Sequence, residues 1–304
     1  MPNKSGKNDL SVVDDYMGFK VSEIWGALDP KITIPDWQEH VLKYAGHNDA
    51  ARRVSSPQTF RYADHDRGEL DLYNKDVPAG APALVFFHGG GFSLLDKESM
   101  AFAAPAFNAA GIAYISPGYP LAPNVSLAEL LAATQRAAKW IYENAETLGI
   151  DRDRIYVSGG SAGGFISAYL LTTDWTEFGL PRSIFKGGMP LNGLFDATPL
   201  FLSEGWEYLG IRPHEVEALS PLSRIDKLVA PVLVGRAEDE PPLTHLSSEQ
   251  FAEAASKKGL LIDNYVAAGT NHFTMVLDLA DPQSTLFKKM AGMIGEKDNQ
   301  NEGS

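Results

Sequence analysis

The chain predicts an α/β architecture, a mostly parallel central sheet with helices on both faces, and three observations carry that expectation. Short, almost wholly apolar runs recur along it, helix-length stretches lie between them, and glycine-rich turns follow two of the runs directly. An apolar run of this kind bounded by Gly, Pro or Asp suits a strand covered on both sides. Strand and helix in alternation then imply βαβ units with right-handed crossovers.

Taken in order, residues 1–58 form an N-terminal segment. Within it, 12–54 carry Trp25, Trp37 and Tyr44 among helix-forming stretches. Two roles are open to it: a short helical cap over a site, or packing against the sheet. Residues 59–73 alternate around the polar break His65-Asp66-Arg67-Gly68 and predict an antiparallel hairpin at the sheet edge. Buried strands are expected at 83–87, 113–116, 154–158 and 231–234, with a further strand at 261–266. Helices are expected at 100–110, 127–148, 162–171, 245–258 and 284–294. The second of these has legible ends: Ser126 is a candidate N-cap, Leu127, Leu130, Leu131, Ala138 and Ile141 make an apolar stripe broken by Thr134, and Gly149 is a stop. Residues 59–295 thus read as one core domain. The tail 296–304 is polar, lacks apolar anchors and is expected to be disordered.

Composition narrows the function. A chain of 304 residues, 44% of them hydrophobic, can bury one large core. A formal net charge of -13 argues against nucleic acid or an anionic membrane as partner, because both select a basic face. The absence of cysteine excludes disulfides, thiolate metal sites and a cysteine nucleophile. The N-terminus shows no apolar signal core, and no run reaches the roughly 18 apolar residues of a membrane span, so a cytoplasmic location is expected. There is no H-E-x-x-H, and His65 with Asp64 and Asp66 reads as a polar turn, so no metal is expected. The glycine run is not a G-x-G-x-x-G opening a helix, so no dinucleotide or other cofactor is expected either. A small molecule is the expected partner, and a homodimer is compatible with this reading.

Two motifs carry chemistry. His88-Gly-Gly-Gly-Phe92 follows the run at 83–87, and Gly159-Gly160-Ser161-Ala162-Gly163 follows the run at 154–158. The second is a G-x-S-x-G elbow, in which a strand turns so sharply into a helix that the serine hydroxyl stands clear and only small neighbours fit. A serine hydroxyl needs a general base within reach and an acid to fix the base's tautomer. Of seven histidines, His272 lies where the base belongs, in the segment Gly269-Thr-Asn-His-Phe273 after the strand expected at 261–266. For the acid, 231–235 runs into Arg236-Ala-Glu-Asp-Glu240; Asp239 is the favoured candidate, with Glu238, Glu240 and the earlier Asp196 as alternatives. The backbone N–H groups of Gly90, Gly91 and Ala162 are the candidate oxyanion donors. Phe92, Trp206 and Phe273 are candidate substrate-pocket residues, since aromatic side chains suit apolar pockets.

With Tyr119-Pro-Leu-Ala-Pro123 added to His88–Phe92, Gly159–Gly164 and His272, the chain resembles the hormone-sensitive-lipase-like carboxylesterases of the α/β-hydrolase superfamily. A second resemblance, to the arylformamidase (kynurenine formamidase) branch, rests on Leu191-Asn-Gly-Leu-Phe-Asp-Ala-Thr-Pro-Leu200, Ala218-Leu-Ser-Pro-Leu222 and Gly269–Phe273. The resemblance spans about residues 59–286. It implies an α/β-hydrolase fold with Ser161, Asp239 and His272 as triad and Gly90, Gly91 and Ala162 as oxyanion hole. The chain departs from the esterases at Gly160, where they carry aspartate, and from the formamidases at Gly91, one glycine more than they have before the aromatic. The implied activity is hydrolysis, through an acyl-enzyme, of a carboxylic ester of a small or medium-sized apolar substrate. Aryl-formamide hydrolysis is the near alternative. A non-catalytic small-molecule-binding protein on the same fold is the alternative of another class.

Overall fold

A computed structural model describes residues 14–295; the expected disorder of 296–304 lies outside them. Ten strands run β1 (Asp15–Tyr16), β2 (Phe19–Lys20), β3 (Gln58–Arg61), β4 (Glu69–Tyr73), β5 (Ala81–Phe87), β6 (Ala113–Pro117), β7 (Ile150–Gly160), β8 (Gly187–Leu191), β9 (Val232–Asp239) and β10 (Leu261–Asn271). The last eight form one sheet in the order β10-β9-β8-β7-β5-β6-β4-β3. All neighbours from β10 through β6 pair in parallel, and only β3–β4 and β4–β6 are antiparallel. The hairpin expected at the sheet edge is β3–β4.

Side chains on a strand alternate between faces, and β5 shows what that does here. Ala83, Val85 and Phe87 join one apolar cluster, Leu84 and Phe86 the other, and all five are fully buried. The N-terminal segment holds α1 (Ile24–Leu28), α2 (Pro30–Thr33) and α3 (Trp37–Val54). The core adds α4 (Ala104–Ala109), α5 (Leu127–Glu143), α6 (Ala162–Leu171), α7 (Thr198–Leu202), α8 (Val216–Leu219), α9 (Pro242–Lys257) and α10 (Thr285–Gly295). Leu28 of α1, Leu130 of α5, Phe165 of α6 and Phe251 of α9 pack in the first cluster. Tyr44 of α3, Phe107 of α4 and Phe287 of α10 pack in the second. In the N-terminal segment, α1 enters the core, and residues between Asp29 and Tyr44 wall a cavity.

The element bounds differ from expectation where local sequence is ambiguous. Ser126 caps α5 as expected, accepting from the Glu129 N–H, but the helix stops at Glu143, ahead of Gly149. The stretch 100–110 is a 3-10 turn, Lys97–Ala103, followed by the short α4. Strand β8 is unforeseen, because Gly187, Gly188 and Pro190 are poor strand formers. Its glycines have a packing reason: a Cβ on Gly187 would lie 2.4 Å from Met293 and one on Gly188 2.3 Å from Leu171.

Closest approach governs the β7–α6 turn as well. A methyl group on Gly163 would sit 2.0 Å from the carbonyl oxygen of Phe87, and one on Gly159 would sit 2.4 Å from that of Gly163. Gly163→Ala should therefore destabilise the protein by about 3 kcal/mol through overpacking. Urea unfolding measures this, and an unchanged midpoint would contradict so tight a contact between β5 and α6.

Candidate active site

Ser161 is the first residue past β7 and precedes α6 with φ 58° and ψ -121°. A non-glycine residue held there stores on the order of 1–3 kcal/mol of strain. The turn survives because the Ser161 N–H donates to the Leu191 carbonyl at 3.0 Å and small residues surround it. The hydroxyl faces His272, whose Nε2 lies 2.9 Å from Ser161 Oγ. On the other side of the ring, Nδ1 lies 2.6 Å from Glu240 Oε2.

The acid partner is thus Glu240, which corrects the preference for Asp239. Strand β9 continues through Asp239, pairing it with Asn271, and Glu238 and Asp239 are both exposed. Glu240 is the first residue past the strand, and its side chain is completely buried against His272. Glu238 instead accepts the Gly269 N–H at 2.7 Å. Asp196 accepts from Tyr16 Oη, the Thr198 N–H and Ser220 Oγ, a structural cluster. An ionised carboxylate only accepts, so His272 Nδ1 carries the ring proton and Nε2 is left to accept from Ser161.

The glycine turn stands beside this array. Gly90 and Gly91 have φ of +100° and +59°, and the N–H groups of Gly90, Gly91 and Ala162 donate to no acceptor among the described residues. Ala162 opens a helix, whose first N–H groups have no partner within it. The turn is held from several sides. Tyr208 Oη donates to the Gly91 carbonyl at 2.8 Å, Tyr119 Oη to the His88 carbonyl at 2.6 Å, and Arg67 to the carbonyls of Leu95 and Tyr119. Tyr208 and Arg67 carry no motif that sequence reasoning could use. His88 is fully buried, stacked on Tyr119 at 4.1 Å, and burial pushes its imidazole down to about 3 against the pull of its bond with Gly89. It holds the turn as a neutral ring.

Two cavities meet at Ser161 and His272. The larger, about 220 Å³, is walled by the glycine turn, Val276, Phe273 and N-terminal residues that include Trp37 and Tyr44. The smaller, about 40 Å³, is enclosed by Leu28, Phe92, Phe165, Leu194 and Leu200. Trp206 borders both. The three candidate pocket residues therefore divide: Phe273 on the large side, Phe92 on the small side, Trp206 between. Among the described residues, no cluster of His, Asp and Glu is placed to hold a metal ion, and no helix is long and apolar enough to cross a membrane.

Two outcomes are expected. Glu240→Gln presents an amide that no longer holds the required tautomer and should lower kcat by about 10⁴, whereas Asp239→Asn should stay near the wild type; the reverse ranking in steady-state assays would return the role to Asp239. The second concerns pH. Above its ordinary value of about 6.5 the His88 ring is neutral in both states. Below it only the unfolded chain takes up the proton, so stability is lost as pH falls from there toward the depressed folded value. His88→Gln should flatten the fall in unfolding free energy between about pH 6.5 and 4.5 by about 1.4 kcal/mol per pH unit. Equal slopes in urea titrations of both proteins would contradict this.

Comparison with known proteins bears on the fold. Residues 84–187 match the family described as alpha/beta hydrolase fold. Kynurenine formamidase of Danio rerio is 25% identical over 268 residues, 84% of this chain and 88% of that one. Carboxylesterase NlhH of Mycobacterium tuberculosis is 42% identical over 107 residues, 34% of this chain and 33% of that one. Among solved structures, a proposed thioesterase from Silicibacter sp. TM1040 superposes with a TM-score of 0.75 at 25% identity, covering 92% of this chain and all of its own. An esterase from Pyrobaculum calidifontis shares the fold at a TM-score of 0.66, 22% identity and coverage of 88% and 94%. The chain carries the α/β-hydrolase fold and is similar to the carboxylesterases and the kynurenine formamidases built on it.

Proposed function

We propose that this hydrolase cleaves carboxylic esters bearing a short acyl group, through an acyl-enzyme on Ser161. The observation that carries the reading is a hydrogen-bonded Ser161–His272–Glu240 array at the junction of two cavities of very unequal size. Ser161 Oγ adds to the carbonyl carbon as its proton passes to His272 Nε2. Glu240 stabilises the imidazolium, and the N–H groups of Gly90, Gly91 and Ala162 receive the negative oxygen. Collapse expels the alcohol, which takes the proton from His272. Water, deprotonated by the same ring, then adds to the acyl carbon and frees Ser161.

The acyl group goes to the smaller cavity, where Leu194 and Leu200 limit its length, and the leaving group goes to the larger, aromatic-walled one. A second reading, hydrolysis of an aryl formamide, uses the same steps with an amine leaving group. Two observations favour it: the formyl group is the smallest acyl group the narrow cavity could take, and similarity to kynurenine formamidases extends over 84% of the chain. A purely binding role fits poorly with a complete nucleophile, base and acid.

Assays of p-nitrophenyl acetate, butyrate and octanoate beside N-formylkynurenine test both readings. Turnover should fall from acetate to octanoate by at least about tenfold, and Ser161→Ala should lose about 10⁶ in kcat. Leu194→Ala should raise butyrate relative to acetate by about tenfold. Octanoate as the best substrate would reverse the cavity assignment. Turnover unchanged in Ser161→Ala would end the hydrolase mechanism, and formylkynurenine preferred over every ester would replace the first reading by the second.

A further inference from the structure

We infer that Asn192 is a positioning residue for the base. It is the first residue past β8, 2% exposed, with φ 49°, a left-handed conformation that Asn tolerates better than most side chains. Its backbone N–H donates to the Gly235 carbonyl at 2.8 Å and so ties β8 to β9. Its side chain spans two further elements. Oδ1 accepts the Ala237 N–H at 3.0 Å, on the strand that leads into Glu240, and Nδ2 donates to the His272 carbonyl at 3.1 Å. The preceding residue, Leu191, accepts the Ser161 N–H. One short stretch of backbone and one amide thereby touch the serine, the base and the strand that presents the acid.

The chemistry of the two ends is not interchangeable. Ala237 offers a donor and His272 an acceptor, so the group between them must accept at one end and donate at the other. Asparagine does both at this length; aspartate accepts at both ends and would face the His272 carbonyl with a second oxygen. The next carbonyl, that of Phe273, is held by Tyr44 Oη of α3. Without the Asn192 amide the ring would therefore shift rather than leave, and a displacement near 1 Å costs roughly a hundredfold in rate.

This inference rests on the reading of His272 as the base, and the experiment separates the two. Wild type, Asn192→Asp and Asn192→Gly, the last chosen because glycine keeps the left-handed backbone, are assayed with p-nitrophenyl acetate after active-site titration, and their crystal structures are determined. Both variants should lose about 10²-fold in kcat per titrated site, with KM little changed, and the Ser161–His272 separation should lengthen out of hydrogen-bond range. A mere loss of stability would lower the titrated fraction and leave kcat per site intact. Near-normal kcat in Asn192→Asp with loss in Asn192→Gly would assign the amide to strand β9 alone and overturn the inference, as would an unchanged separation in both crystals. If wild type shows no turnover that depends on Ser161, the hydrolase reading fails, and the crystallographic separations still decide the positioning role.

Discussion

Glu240 holds a carboxylate with no solvent exposure, and its Oε2 rests on the Nδ1 proton of His272. A charge removed from water is tolerated only when it is paired, so this contact fixes both partners together. Its consequences run outward. The ring is locked in one tautomer, and its other nitrogen is turned to Ser161. The fold delivers these groups from far apart in sequence, the serine and the histidine 111 positions apart and the histidine and the acid 32.

That delivery is a property of a parallel sheet. The elbow leaves the C-terminal end of β7, the glycine turn that of β5, the acid that of β9 and the histidine that of β10. Active groups collect on this side because successive parallel strands all end there, outside the carboxyl ends of the sheet. In the acyl transfer proposed here, charge separation takes place among fixed dipoles. The N-terminal segment closes the large cavity with α2 and α3, and its Tyr44 reaches the carbonyl beside the histidine, so cover and base are mechanically joined.

The parts legible in sequence are those in which chemistry is written locally. Ser161 between small residues, the triple glycine after β5 and the apolar β5 and β7 runs each announce themselves within a few residues. His272 is accessible through its position after the last strand. The acid is not, because the apolar run marks the strand only over 231–234, while pairing with β10 carries β9 on to Asp239. A shift of one residue changes the face to which a side chain points, so Asp239 and Glu240 could not be separated without the register. Strand β8 is hidden by Gly-Gly and Pro190, and the two glycines leave room that a Cβ would fill, at a cost in strand propensity. Asn192, Tyr208 and Tyr44 contact the site across 80, 117 and 229 residues, and no local pattern marks such contacts.

The central claim is that the hydroxyl at 161 becomes nucleophilic because the His272 imidazole accepts its proton. Reaction with a fluorophosphonate, followed by peptide mass mapping and timed for wild type and His272→Ala, tests it most directly. The account predicts a phosphonyl adduct on Ser161 that forms roughly a hundredfold or more faster in the wild type. An adduct at another residue, or equal rates in the two proteins, would contradict it.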